Sequence, residues 1–212
     1  MKFYDRTDEL AELATLYKQS ADSGRMTVLT GRRRVGKTVL ALEAAKQHKH
    51  IYLFVSKKAE ALLCQEHLEE IRRLFNPPVV GEIRHFRDIF LLLIELSRTE
   101  RITLIIDEFQ EFFSNNPAVY SELQGIWDRN KSSCKLNVIF IGSVHSLMYR
   151  IFQDQKEPLF GRADRIMFLK PFSIRSIHEV TSDYNHPDIQ TLFDLYAITG
   201  GLPKYQIGRA HV

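Results

Sequence analysis

Gly31-Arg32-Arg33-Arg34-Val35-Gly36-Lys37-Thr38 carries the full G-x-x-x-x-G-K-[ST] spacing of a phosphate-binding loop. On its N-terminal side Met26-Thr27-Val28-Leu29-Thr30 is an apolar, β-prone run. On its C-terminal side Thr38-Val39-Leu40-Ala41-Leu42-Glu43-Ala44-Ala45-Lys46 has helix-forming composition. The motif therefore joins a strand to a helix, the context that its chemistry needs: backbone N–H groups wrap phosphate oxygens while the helix N-terminus adds positive potential. In this reading residues 31–39 form the cradle, Lys37 bridges the outer phosphates and the Thr38 hydroxyl ligates Mg2+. Gly31 and Gly36 supply backbone angles and a closeness of approach that a Cβ would forbid. At ordinary residue frequencies the four fixed positions coincide in a chain of this length less than about one time in a hundred, so a chance glycine-rich turn is the weaker reading.

The next informative stretch is Arg101-Ile102-Thr103-Leu104-Ile105-Ile106-Asp107-Glu108, a short apolar strand that ends in two adjacent carboxylates. It looks like a Walker B motif. Alone it would be an ordinary strand finishing in acid at a solvent edge. Beside a phosphate loop, at the strand end where open α/β sheets place their ligands, Asp107 is expected to hold the Mg2+ shell and Glu108 to orient and deprotonate a water. Leu136-Asn137-Val138-Ile139-Phe140-Ile141-Gly142-Ser143 is a further apolar strand with a small polar end. In P-loop ATPases that insert a strand between the P-loop strand and the Walker B strand, a side chain there senses the γ-phosphate or positions water. Ser143 fits that role, and an ordinary strand-to-loop hydroxyl is the alternative. Arg162 and, as second choice, Arg165 precede the last strand, Ile166-Met167-Phe168-Leu169. An arginine there can stabilise transition-state charge, in its own subunit or a neighbour's, and be worth about a thousandfold or more in rate. The alternative is a surface arginine doing neither.

The 212 residues are 44% hydrophobic and 26% charged, the make-up of a globular chain of one or two domains. The longest apolar run, Ile89 to Ile94, is too short to span a bilayer, and Met1-Lys2-Phe3-Tyr4-Asp5-Arg6 lacks a signal-peptide core, so a cytoplasmic protein without membrane contact is expected. Cys64 and Cys134 have no metal-ligand spacing and read as plain thiols. A net charge of +3 is too small to argue for nucleic acid, and the clusters Arg32-Arg33-Arg34 and Arg72-Arg73 read first as solvated surface.

Thr7 reads as an N-cap for a first helix, with Asp8 and Glu9 in its opening turn. His50 to Val55 reads as a second buried strand, and helical sequence covers residues 59–75, 86–97, 118–130 and 145–155, with Trp127 as a core anchor. Five strands alternating with helices predict an α/β three-layer sandwich around a parallel sheet. The boundaries drawn are a core over residues 1–170 and a partial helical lid over 171–206, beginning at Pro171-Phe172-Ser173.

Taken together, the sequence resembles the archaeal and bacterial ATPase family placed among the AAA+ and STAND P-loop proteins. The likeness rests on Phe3-Tyr4-Asp5-Arg6 with Glu9-Leu10, the loop at 31–38, Asp107-Glu108-Phe109-Gln110, Gly142-Ser143, Pro158-Leu159-Phe160-Gly161-Arg162 and Gly200-Gly201-Leu202-Pro203. It implies ATP as ligand with Mg2+, an ATP/ADP cycle, and the strand order 5-1-4-3-2. It also implies that Phe3, Tyr4 and Arg6 pack beside the adenine and that Pro203 lies close to the base, a simple helix stop being the alternative for Pro203. Related initiator ATPases have glycine where this chain has Asp5. The arginines of the loop look like the family's own version of it, and only second like a contact to an acidic partner. Family members commonly continue into a C-terminal nuclease-like domain. A DNA or protein partner would be reached through that missing domain, and nucleotide-dependent oligomers belong to the same expectation. The functions that fit are an ATP-hydrolysing switch or remodeller and, second, a nucleotide-gated binding module with little turnover; a small-molecule kinase on the same fold is the weakest, because no sequence feature marks an acceptor-binding site. Residues 207–212, Ile-Gly-Arg-Ala-His-Val, match the translation of a common sequencing-adapter sequence and are expected to be a non-native tail.

Overall fold

The computed structural model describes residues 4–75, 77, 81–183 and 189–203. Phe3 and the tail 207–212 therefore lie outside the described residues. Five strands form one sheet: β1 (Arg25–Gly31), β2 (His50–Phe54), β3 (Ile102–Asp107), β4 (Leu136–Gly142) and β5 (Arg165–Leu169). Their spatial order is β2-β3-β4-β1-β5 and every pairing is parallel, which is the predicted order read from the other edge. The helices are α1 (Thr7–Gln19), α2 (Lys37–Ala45), α3 (Glu60–Phe75), α4 (Phe86–Thr99), α5 (Phe112–Asn115), α6 (Ala118–Asn130), α7 (His145–Gln153), α8 (Ile174–Asp183) and α9 (Ile189–Thr199).

Strand parity builds the layers. The even residues Met26, Val28, Ile102, Leu104, Ile106, Leu136, Val138 and Phe140 enter one apolar core, with Phe86 and Phe90 of α4 and Trp127 of α6. The odd residues Leu29, Ile105, Ile139 and Ile141 face the other way, onto Leu13 of α1 and Leu40 and Ala41 of α2. Alternation of successive side chains between the two faces makes this division automatic once the strands are parallel and central. β3 and β4 are buried along their whole length, whereas the edge strands β2 and β5 alternate with more exposed positions. Trp127 is a core residue, as its place in the helical pattern predicts.

One local expectation is corrected. Arg6, not Thr7, is the N-cap of α1, in a left-handed conformation and without a side-chain capping bond. The Arg6 backbone N–H is held by Asp5 Oδ1 at 2.8 Å and its guanidinium reaches Lys170 O, so the chain turns one residue earlier and Thr7 is already helical. After β3 the chain makes a short 3-10 turn over Phe109–Glu111 and then α5, both too brief to leave a periodic signal.

Beyond Pro171, α8 and α9 carry a separate small apolar cluster of Phe172, Ile177, Val180 and Leu192, completed by Tyr4 from the N-terminal segment. Among the described residues no helix is long and apolar enough to cross a membrane.

Candidate active site

The C-terminal ends of β1, β4 and β3 lie side by side, so the loop after β1, Ser143 after β4 and the carboxylates of β3 meet at one edge of the sheet. Gly31 ends β1 at φ 146°, and a Cβ there would stand 2.5 Å from Leu169 O of β5. No other residue fits this crossing. Gly36, at φ 95°, is the N-cap of α2 and leaves the helix without a side-chain cap, so the orphan N–H groups of the first turn are open to an anion. Arg32, Arg33 and Arg34 are exposed, Arg34 at φ 71°, while Val35 is buried in the apolar layer under α2. Val39, on the first turn of α2, is 59% exposed.

Lys37 is only 7% exposed, and its ammonium donates to Gly31 O at 2.9 Å and Arg32 O at 3.0 Å. The lysine thus closes the loop on itself across the space that a phosphate would share. Burial pushes its pKa down, and the carboxylates of Glu108 and Asp107 push it back up. A buried ammonium gains from an anionic ligand, whose charge favours its protonated form.

Asp107 is buried, and each of its two oxygens is hydrogen-bonded. Oδ2 accepts from the Thr38 hydroxyl at 2.6 Å and from the Tyr52 hydroxyl at 3.0 Å, while Oδ1 accepts from the Glu108 backbone N–H at 2.8 Å. Glu108 itself sits in the left-handed region at φ 53° and ψ 39°, a conformation sparsely populated outside glycine. Its Oε2 accepts from Ser143 Oγ at 2.7 Å and from the amide of Gln110, a side chain only 2% exposed. The adjacent carboxylates therefore part company: Asp107 turns to the loop threonine, Glu108 to the polar end of β4. Hard oxygen ligands at Thr38 and Asp107 suit a small divalent cation, and a carboxylate held by one oxygen suits a proton acceptor.

Lys37, Thr38, Asp107, Glu108 and Ser143 are thus brought together, as read from the chain. Two supporting residues, Tyr52 and Gln110, carry no signal of this role in the sequence. Gln110 stands in the quoted Asp107-Glu108-Phe109-Gln110 run, but its turn back onto Glu108 depends on the 3-10 turn. Tyr52 is a strand residue whose partner follows only from strand order and register.

Arg162 and Arg165 do not join this group within the chain. Arg165 is in register with Thr27, four residues before Gly31, so it lies about 13 Å back along the strand direction at roughly 3.3 Å per residue. Arg162 precedes it and forms an ion pair with Asp128 at 3.0 Å, while Arg165 pairs with Glu12. The reading of either as an arginine acting on a phosphate in its own subunit is corrected: parallel strands put the start of β5 at the opposite edge from the loop.

In the N-terminal segment Tyr4 is 4% exposed, packs with Phe172, Ile177 and Val180, and donates to Asp183 Oδ2 at 2.9 Å. Arg6 is buried, with Glu9 at 3.1 Å and the Phe172 ring 5.4 Å from its guanidinium carbon. Asp5 adopts φ 59°, the conformation that glycine would favour, and binds Arg6 N–H through Oδ1 and the Ser176 hydroxyl, at 2.8 Å, through Oδ2. Local hydrogen bonding of this kind is what lets aspartate tolerate the left-handed region. Gly201 accepts from Phe172 N–H at 2.8 Å through its carbonyl, and Pro203 is buried two residues on. Tyr4, Arg6 and the Gly200-Gly201-Leu202-Pro203 turn therefore tie the first residues to α8 and α9, beside α2.

The pattern of a family described as an ATPase domain predominantly from Archaea matches residues 3–207. An uncharacterised protein of Methanocaldococcus jannaschii is 29% identical over 203 residues, which are 96% of this chain and 43% of that protein. Among solved structures, a Walker-type ATPase of Pyrococcus abyssi superposes with a TM-score of 0.70 at 18% identity, covering 97% of this chain and 66% of that one. The Aeropyrum pernix ORC2 protein, solved in ADPNP and ADP complexes, gives 0.64 at 18% identity over 86% of this chain and 52% of its own. At these identities the structural likenesses bear on the fold, and the chain spans less than half the length of the curated relative.

Proposed function

Because the chain belongs to the family of ATPase domains found predominantly in Archaea, we propose that it binds ATP with Mg2+ at the edge formed by β1, β4 and β3 and hydrolyses it. We take it as the AAA+/STAND-like switch or remodelling part of a larger protein. The observation that carries the reading is the separation of the two carboxylates. Asp107 is bonded to the loop threonine, and Glu108, one residue on, is bonded to Ser143. A purely phosphate-binding loop needs only the first contact; water activation needs the second.

In this mechanism the N–H groups at the start of α2 and the Lys37 ammonium take the phosphates, and Lys37 exchanges its two carbonyl partners for phosphate oxygens. Thr38 and Asp107 would hold Mg2+, which when bound neutralises phosphate charge. Glu108 takes the proton of the attacking water, held by Ser143 and Gln110 so that its second carboxylate oxygen does the work. Residues 1–170 act as the core. The helices after Pro171, tied to Tyr4 and Arg6, act as the start of a lid whose position reports nucleotide state. DNA or protein partners, and nucleotide-dependent assembly, would be engaged by the remainder of the full-length protein.

The test is multiple-turnover phosphate release from ATP, with and without Mg2+. Metal-dependent turnover is the expected result, and tight ATP binding with no release beyond one equivalent would overturn hydrolysis as the function.

A second reading, a nucleotide-gated module with little turnover, is favoured by one observation: Arg162 is bonded to Asp128 at the far edge of the sheet. For the monomer, Arg162→Ala is accordingly expected to leave turnover unchanged and to alter stability by less than about 1 kcal/mol, as for exposed ion pairs generally. A rate loss confined to assembled protein would assign Arg162 to a neighbour's site, and a large loss in dilute monomer would contradict the placement.

A further inference from the structure

Tyr52 lies on the edge strand β2, in register with Ile105 of β3. Asp107 is two residues beyond that partner on the same face of the sheet, the face that carries α2. A diagonal pair at this spacing is within reach of a long aromatic side chain, and the Tyr52 hydroxyl donates to Asp107 Oδ2 at 3.0 Å. The same oxygen accepts from Thr38 at 2.6 Å, and Oδ1 accepts from the Glu108 backbone. A carboxylate offers about four lone-pair sites. Three donors from three elements (β2, the start of α2 and the backbone after β3) therefore leave Asp107 one orientation. The threonine proton is committed to Asp107, so the lone pairs of the Thr38 oxygen remain for a cation. Tyr52 supplies no charge and no ligand; its hydroxyl fixes the carboxylate from the side opposite the loop.

We propose that Tyr52 is the positioning residue of the metal site, holding Asp107 in the orientation in which it and Thr38 receive Mg2+. This rests on the reading of the site as a Mg-ATP site. Groups that orient a metal-ligating side chain are typically worth ten- to a hundredfold in metal affinity. The low end applies here, because Tyr52 is only half-buried and lines a cleft of about 920 Å3 from which water can replace the lost donor.

The experiment compares wild type and Tyr52→Phe by titrating Mg2+ into protein with a fluorescent ATP analogue, with Mn2+ binding by electron paramagnetic resonance as a second readout. The expected result is an approximately tenfold rise in the metal concentration needed for half-saturation, with metal-free nucleotide affinity and Tm unchanged. A merely structural role would lower Tm or weaken metal-free binding to the same degree, and would count against positioning. In an Asp107→Asn background Tyr52→Phe should have no further effect on the metal, and an undiminished effect there would also refute the proposal. Wild type that binds nucleotide with no metal dependence would remove the Mg-ATP reading and this inference with it. Metal dependence identical in wild type and Tyr52→Phe would overturn this inference alone.

Discussion

Replacing Lys37 with alanine is expected to weaken ATP binding by at least about a hundredfold and to abolish measurable turnover. The ammonium is buried, and its present partners, the carbonyls of Gly31 and Arg32, belong to the loop that must embrace phosphate. On binding it would trade two neutral acceptors for charged phosphate oxygens. Hydrogen bonds to charged groups are worth about 1.5–3 kcal/mol each. Loss of two such bonds gives about 3–6 kcal/mol, or roughly two to four decades at 1.4 kcal/mol per decade. The fold should survive. Burial disfavours the charged lysine in the free protein, so its removal takes away a desolvation cost along with two hydrogen bonds. Calorimetric titration with ATP checks this, and an affinity within threefold of wild type would mean that the loop does not bind phosphate in the manner proposed.

Glu108→Gln is expected to separate binding from chemistry. Turnover should fall by about a thousandfold, within the range of roughly 10²–10⁴ for general-base catalysis, while ATP affinity stays within a few fold of wild type. Glutamine keeps the shape and an acceptor oxygen for the Ser143 hydroxyl and the Gln110 amide, so the αL turn and the end of β4 have no reason to rearrange. What it removes is the capacity to take a proton. Steady-state phosphate release alongside equilibrium ATP binding gives both quantities, and undiminished release would rule out Glu108 as the base. Paired with Lys37→Ala, the variant discriminates two failures: the lysine variant loses ligand, the glutamate variant keeps it and stalls.

Much of this site is legible along the chain because its pieces are local. Gly31 must be glycine for a reason visible only in three dimensions, the Leu169 carbonyl 2.5 Å from any Cβ, yet the spacing to Gly36, Lys37 and Thr38 announces it. Asp107 and Glu108 end a strand too apolar to tolerate acids elsewhere, and Ser143 ends another. The misplaced residues fail for the converse reason. Arg162 stands just before the last strand, but strand direction sends that position to the far edge, where Asp128 neutralises it. Thr7 has the chemistry of an N-cap, but a tertiary contact from Arg6 to Lys170 draws the helix start back by one residue.

The periodicity of apolar residues, the glycine spacing of one loop and the acids at one strand end were enough to specify a parallel α/β sandwich and the chemical types gathered at its edge. Those signals are encoded within a few residues of one another, where backbone geometry translates spacing directly into position. Which distant side chains meet was decided by strand order and register. Tyr52 reaches Asp107 because β2 lies beside β3 with Tyr52 opposite Ile105, two residues short of Asp107 on the same face, and Ser143 reaches Glu108 because β4 lies between β1 and β3. Such contacts join residues 35 to 55 positions apart. They arise from the packing of whole elements, a cooperative property that no short window of sequence contains.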